Sequence, residues 1–98
     1  IAHLGEAFGI DVEVHACGPA HRHVMGAMRN SNFYEVALVG PDCPNAVPPV
    51  YLCGYSDLLE CVGSDGCVSV PDGPGLGVIY DWDFINVNRT DLTVFSGK

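Results

Sequence analysis

Two segments in which apolar residues alternate with others, IDVEVH at 10–15 and FYEVALV at 33–39, flank one stretch with helical spacing. This order constrains the fold more than any other feature of the sequence. A period of two predicts a strand in each segment. Between them Pro19 can open a helix that NSN at 30–32 ends. Its apolar stripe would consist of Ala20, Val24, Ala27 and Met28. A strand, a helix and a strand with short connections are typical of βα repeats over a parallel sheet.

The sequence on either side of this unit has a different character. Residues 1–8 have apolar positions at helical spacing and Gly9 where a helix cap belongs, which predicts the last turns of a longer helix. After Val39 comes a Pro-rich segment, 40–49, with little helix or strand signal, and DWDFINVN at 81–88 predicts a short amphipathic helix. Two strands and an irregular tail cannot close a sheet or barrel, so we expect the end of something larger.

The charge and the cysteines exclude several classes of protein. Four Lys and Arg against twelve Asp and Glu give a net charge of −8, which argues against nucleic acid and anionic membrane surfaces as partners. No apolar run approaches the roughly 20 residues of a membrane span, and the N-terminus lacks the features of a signal peptide. A soluble, cytoplasmic protein is therefore expected. The five cysteines form no C-x-x-C pair, which argues against a disulfide framework. The apolar or small neighbours of Cys53, Cys61 and Cys67 predict buried reduced thiols.

His15 is the polar residue that most strongly suggests chemistry. Asp11, Glu13 and His15 share one face of the first predicted strand, and in a parallel barrel that face points inward. His15 would end this row at the carboxyl end of the strand, where barrel enzymes place their active sites. Imidazole can take or give a proton near neutral pH. A solvated histidine at a strand end is the structural alternative, and both interpretations stay open.

Glu35 is the second candidate. It lies 20 residues after His15, about one βα unit later, so the two side chains can converge if their strands are neighbours. A carboxylic acid among apolar neighbours has a raised pKa and can donate a hydrogen bond to developing negative charge. The pair therefore predicts acid–base chemistry in one pocket.

Two other kinds of site are less well supported by the spacing. A zinc site would join His15, Cys17, His21 and His23, but compact ligand pairs are missing and the last two histidines point to different sides of a helix. PDGPGLG at 71–77 lacks the spacings of phosphate-binding loops, and its prolines remove backbone donors, so a rigid turn is expected. No metal ligand is assigned within this chain.

Three passages resemble the C-terminal quarter of an enolase-superfamily enzyme of the mandelate racemase/muconate lactonizing enzyme family. They are AHLGEAFGIDVEVH, RNSNFYE and VSVPDGPGLGVIYDWDFI. The resemblance implies an α/β fold, the last two βα units plus the C-terminal tail of an enolase-type modified TIM (β/α) barrel. Residues 1–39 would then contain the end of helix 6, strand 7, helix 7 and strand 8. Residues 40–98 would be a tail packing back on the barrel and the capping domain.

The resemblance also implies residue roles. In that family Mg2+ stabilises the enediolate that forms when a bound carboxylate substrate loses its alpha proton. His15 would be the general acid/base, Glu35 would bind the substrate carboxylate and the enolate, and Cys17 would line the pocket mouth. The Mg2+ ligands and the Asp partner of His15 would lie upstream of Ile1, so this chain alone is expected to be inactive.

The function expected from the resemblance is part of a Mg-dependent acid-sugar dehydratase, a lyase, or of a racemase, an isomerase. The expected partners are a small carboxylate or acid-sugar substrate, the upstream barrel, the capping domain and, in the complete enzyme, further copies in a homo-oligomer. The alternative is a non-catalytic truncated fragment that only packs against the missing barrel or a partner chain, which predicts exposed apolar faces.

Overall fold

The computed structural model describes residues 1–37 and 50–95. Its regular elements are α1 (Ala2–Ala7), α2 (Pro19–Gly26), a 3-10 helix (Leu59–Cys61) and α3 (Trp82–Asn88). None of these helices has the length and apolar character needed to cross a membrane. The Pro-rich segment 40–49 lies outside the described residues.

Helix α1 ends at the glycine that its sequence predicts. Gly9 has φ +66°, a left-handed conformation that glycine adopts without steric cost. Its N–H donates to the Glu6 carbonyl at 3.0 Å, and the N–H of Ile10 donates to the Gly5 carbonyl at 2.9 Å. These two bonds form a Schellman motif, which satisfies the last carbonyls of the helix. The motif turns the chain directly into the segment that carries His15.

Helix α2 begins as expected, with Pro19 in its first turn, but it buries an unexpected face. Pro19, Arg22 and Met25 are its buried residues, and their spacing of three places them along one side. Val24, on the predicted apolar stripe, is exposed. The difference arises because the C-terminal part of the chain covers the Arg22 side of the helix.

The two predicted strands are held together by side chains, without a regular sheet ladder among the described residues. Segments 10–15 and 33–37 run close to each other, but the Glu13 carboxylate accepts the backbone N–H groups of Asn32 and Phe33. Those donors are therefore not available to a backbone partner. The last two positions of the second predicted strand lie outside the described residues. The assignment of both segments to barrel strands stays a prediction.

The tail from residue 50 onward folds back on itself through two isolated antiparallel bridges. One joins Tyr51 to Tyr80, and the other joins Val62 to Val68. Near the second bridge the predicted turn at 71–77 is present. A Cβ at Gly77 would lie 2.7 Å from the Cβ of Pro71, so only glycine fits there.

The predicted helix at 81–88 is confirmed as α3, and its start has a clear cause. The Asp81 carboxylate accepts the N–H of Phe84 at 2.9 Å, an N-cap that satisfies one of the free donors of the first turn. The helix has no buried residue, and the side chain of Trp82 is exposed.

The buried centre of the described chain is mostly polar. Met25 is the one large apolar residue that is buried there, alongside Arg22, Asn30 and Asp57. Large exposed apolar side chains include Ile1, Phe8, Ile10, Phe33, Leu52 and Trp82. The described residues therefore leave most of their apolar surface uncovered.

The prediction of buried thiols was wrong for Cys53 and Cys67. Cys53 and Cys67 are exposed, whereas Cys17 and Cys61 are half-buried, and all four are free. The exposed pair lies in surface segments of the tail, where Cys67 closes a turn with its N–H on the Asp65 carboxylate. Small apolar neighbours in sequence did not imply a core position, because these segments are themselves at the surface.

Candidate active site

His15 and Glu35 are in direct contact. His15 Nδ1 lies 3.0 Å from Glu35 Oε2. The same carboxylate oxygen accepts the backbone N–H of Ala16 at 2.5 Å. The His15 side chain is 92% exposed and that of Glu35 is 51% exposed. The structure thus brings together the two residues that the spacing paired, but on an open face instead of among the apolar neighbours expected around Glu35.

The contact with Glu35 favours one tautomer of the imidazole. A carboxylate oxygen accepts hydrogen bonds, so the 3.0 Å distance favours the tautomer of His15 that has its proton on Nδ1. In a neutral imidazole the lone pair is then on Nε2. Nε2 is therefore the atom that can take a proton from a bound molecule and later return it.

Ala16 reaches Glu35 from an unusual backbone conformation. Its φ is +71°, and no other described residue except glycine has a positive φ. An alanine in the left-handed region costs on the order of 1 kcal/mol or more. The strained residue directly follows His15 and points its N–H at the carboxylate that His15 contacts. The local backbone is thus arranged around the pair.

A shallow cavity of about 350 Å³ opens beside the pair. It is lined by Glu13, Val14, His15, Phe33, Tyr34 and Glu35. This volume suits a small ligand. Cys17, expected at the pocket mouth, is not among the lining residues. Burial, and then the negative charge of Asp57, raise the pKa of its thiol.

Glu13 and Glu35 join the two segments reciprocally. Glu13 accepts the N–H groups of Asn32 and Phe33 at 3.0 and 3.2 Å, whereas Glu35 on the second segment accepts from Ala16 on the first. The hydrogen bond from Asn32 is the largest of several that lower the pKa of the Glu13 carboxyl. Two carboxylates therefore fix the register that places His15 beside Glu35.

A buried ionic cluster lies behind the site. Asp57 Oδ1 accepts hydrogen bonds from Arg22 Nη2 at 2.8 Å, from the Tyr55 hydroxyl at 2.9 Å and from the Tyr34 hydroxyl at 2.5 Å. The side chains of Arg22 and Asp57 are 6% and 2% exposed. The guanidinium carbon also lies 4.4 Å from the Tyr55 ring centre and 5.1 Å from that of Tyr34.

This cluster was missed from the sequence. Arg22 is next to two histidines on a predicted helix, and Asp57 falls in a segment of ambiguous pattern. The two residues are 35 positions apart, so no local period links them. The one available signal was an arginine on the predicted helix together with an aspartate two residues after Tyr55 in an acidic chain.

The described residues do not supply a metal site. Within 1–37 and 50–95 no group of three or more His, Cys, Asp or Glu side chains is placed to hold a metal ion. His23 instead lies 3.2 Å from the Leu76 carbonyl through its Nε2. Mg2+ takes oxygen ligands in octahedral geometry, and these residues do not fit such a set.

Comparison with known protein families places most of the chain in a described family. Residues 1–84 match the family described as enolase C-terminal domain-like. No curated protein and no solved structure matches the chain. The matched range includes His15, Glu35 and the buried Arg22–Asp57 cluster, so the site and the residues behind it lie inside the family unit.

Proposed function

The chain belongs to the enolase C-terminal domain-like family of the enolase superfamily, and from that membership we propose that it supplies an acid–base pair to a carboxylate-processing enzyme. The family has an α/β barrel-type fold. The proposed reaction is abstraction of the proton alpha to a carboxylate, as in acid-sugar dehydratases and racemases of the mandelate racemase type. The observation that carries the proposal is the 3.0 Å contact between His15 Nδ1 and Glu35 Oε2.

His15 is proposed as the general acid/base. In the tautomer that the contact with Glu35 favours, the Nε2 lone pair is the base that takes the alpha proton, and the resulting imidazolium is an acid. In a dehydratase the same group can protonate the departing β-hydroxyl. The high exposure of the imidazole supports this role, because a substrate can reach it from the open face.

Glu35 is proposed to bind the substrate carboxylate and the enolate formed from it. Its Oε2 already accepts from Ala16 and contacts His15, which leaves Oε1 for a substrate. A proton on Oε1 would donate a hydrogen bond to the enolate oxygen as negative charge develops there. Oε2 would thus hold Ala16 and His15, and Oε1 would bind the substrate.

The proposed enzyme also needs Mg2+ ligands and covering surfaces that the described residues do not provide. The Mg2+ that enzymes of this superfamily generally use would need ligands from elsewhere in the polypeptide, since the described residues do not form a site for it. The upstream barrel, the capping domain and further copies of the chain are proposed to cover its apolar side chains. Phe8 and Phe33 are 74% and 78% exposed, which supports such a covering.

The same exposure favours a second candidate function, that of a non-catalytic unit which only packs against a partner chain. In that case the His15–Glu35 contact would be a surface pair without a substrate. The two candidates agree on the need for a partner surface and differ on proton transfer. Proton transfer is therefore the quantity to measure.

The test uses the full polypeptide that carries this sequence, with Mg2+ and a panel of acid sugars in D2O, and follows exchange of the alpha proton by NMR. His15→Asn should slow exchange by about 10²- to 10⁴-fold, the usual contribution of a positioned acid–base group. His3→Asn is the matched control, because His3 is an exposed histidine on α1 outside the pair. Near-normal exchange in His15→Asn would remove His15 from the mechanism, and no exchange with any acid sugar would favour the packing unit.

A further inference from the structure

The hydroxyl of Tyr34 connects the two segments of the candidate site at a second point. Tyr34 immediately precedes Glu35, and its oxygen accepts the N–H of Gly18 at 2.8 Å. Gly18 lies three residues after His15, at the end of the turn that includes Ala16. Glu35 therefore holds the start of this turn, and Tyr34 holds its end.

The hydroxyl proton of Tyr34 has one short acceptor. Asp57 Oδ1 lies 2.5 Å away, whereas the Gly18 carbonyl lies 3.4 Å away. A hydroxyl has a single proton, so donation to Asp57 leaves the oxygen lone pairs to accept from the Gly18 N–H. Burial, and next the hydrogen bond to Asp57, raise the pKa of Tyr34, so the phenol stays protonated.

Asp57 is a rigid anchor for that hydroxyl. Its carboxylate is buried and also accepts from Arg22 and Tyr55. Arg22 Nη1 donates to the Ser69 carbonyl at 3.0 Å, which fixes the same helix to a second part of the tail. The position of the Tyr34 oxygen is thus set by the C-terminal part of the chain.

We propose that Tyr34, anchored by Asp57, is a positioning residue that fixes the turn 16–18 and thereby the placement of His15 against Glu35. This inference rests on the proposed function for its catalytic consequence. Ala16 holds a strained backbone conformation, which persists only where surrounding contacts over-determine it. The Tyr34 hydroxyl supplies one of these contacts from the tail side of the turn.

Two tyrosines give a matched pair of variants. Tyr34→Phe and Tyr55→Phe each remove one hydroxyl that donates to the same Asp57 oxygen, and each keeps the ring beside Arg22. Only Tyr34→Phe also frees the Gly18 N–H. Any general effect of weakening the buried cluster should appear in both variants, whereas loss of turn positioning should appear in Tyr34→Phe alone.

The first readout is amide hydrogen exchange at single-residue resolution in the full polypeptide. Tyr34→Phe should accelerate exchange at Ala16 and Gly18 by about tenfold, the equivalent of one net hydrogen bond. Tyr55→Phe should leave both amides within about twofold of the wild type. Equal acceleration in the two variants, or none in Tyr34→Phe, overturns the proposal.

The second readout is the kinetics of alpha-proton exchange. Tyr34→Phe should lower kcat by about 10- to 100-fold with KM changed less than about threefold, since misplacement of a reacting group acts on the chemical step. An unchanged kcat despite faster exchange at Ala16 overturns the catalytic consequence. If the wild type exchanges no alpha proton while the amide result is as expected, the proposed function fails and the positioning of the turn by Tyr34 is supported.

Discussion

The His15–Glu35 pair and the Arg22–Asp57 pair join similar chemical groups in opposite settings. Both place a nitrogen base or cation within about hydrogen-bond distance of a carboxylate, at 3.0 and 2.8 Å. The first is on an open face beside a cavity, and the second is almost fully buried under two tyrosines. An exposed pair contributes little to stability and is accessible to small molecules in solution. A buried pair holds segments of the chain together, and removal of one partner strongly lowers the free energy of unfolding.

The largest effect should come from breaking the buried pair. Asp57→Ala leaves the Arg22 charge buried without its carboxylate, which should lower the free energy of unfolding by about 3–5 kcal/mol. The urea midpoint of the full polypeptide measures this loss. Glu6→Ala is the control, because Glu6 pairs at 2.7 Å with Arg29, whose side chain is 84% exposed. Glu6→Ala should lower the free energy of unfolding by less than about 1 kcal/mol. Equal losses of unfolding free energy in Asp57→Ala and Glu6→Ala would mean that the buried pair stabilises the fold no more than an exposed pair.

The next effect concerns the strained residue beside the exposed pair. Ala16→Gly removes the steric cost of φ +71° and keeps the N–H that Glu35 accepts. Glycine also has more backbone freedom than alanine in the unfolded chain, which offsets part of this gain in stability. We expect the free energy of unfolding to rise by up to about 1 kcal/mol. A clear destabilisation by Ala16→Gly would mean that Ala16 is not strained in solution.

The same contrast explains what the sequence could predict. Elements with local signals were predicted correctly: Gly9 as a helix cap, Pro19 as a helix start and residues 81–88 as a short helix. The His15–Glu35 contact was also predictable, since a βα period relates two strand ends. The Arg22–Asp57 pair was not, because its partners are 35 positions apart and no repeat connects them.

The contact between the two predicted strands shows a second limit of prediction from the sequence. Alternation predicts two strands, but it says nothing about which group will accept a given backbone N–H. In this chain the Glu13 carboxylate accepts from Asn32 and Phe33, where a ladder would use carbonyl oxygens. The strand pattern places Glu13 on the same predicted face as His15, but it does not predict that this carboxylate accepts the backbone N–H groups of the neighbouring segment.

The smallest effect should come from Glu13, which has a lowered pKa because its charged form accepts hydrogen bonds, first of all from Asn32. A carboxyl group whose pKa is lower in the folded than in the unfolded chain stabilises the fold at pH values above its unfolded pKa. This contribution disappears as the pH falls through the pKa of the folded chain. Glu13→Gln should therefore lower the urea midpoint at pH 7 and have a smaller effect near pH 3.

The Glu13 side chain is exposed, so the pH-dependent part of this difference should also shrink when salt is raised, as screening weakens surface electrostatics. Glu60→Gln is the matched control. Glu60 also has a lowered pKa, chiefly through the Ser56 hydroxyl, but it joins residues only four positions apart. Both variants should show the same sign with pH, while only Glu13→Gln should speed amide exchange at Phe33. Faster exchange at Phe33 in both would mean that the link between the segments does not depend on Glu13, and the register of the exposed pair would need another cause.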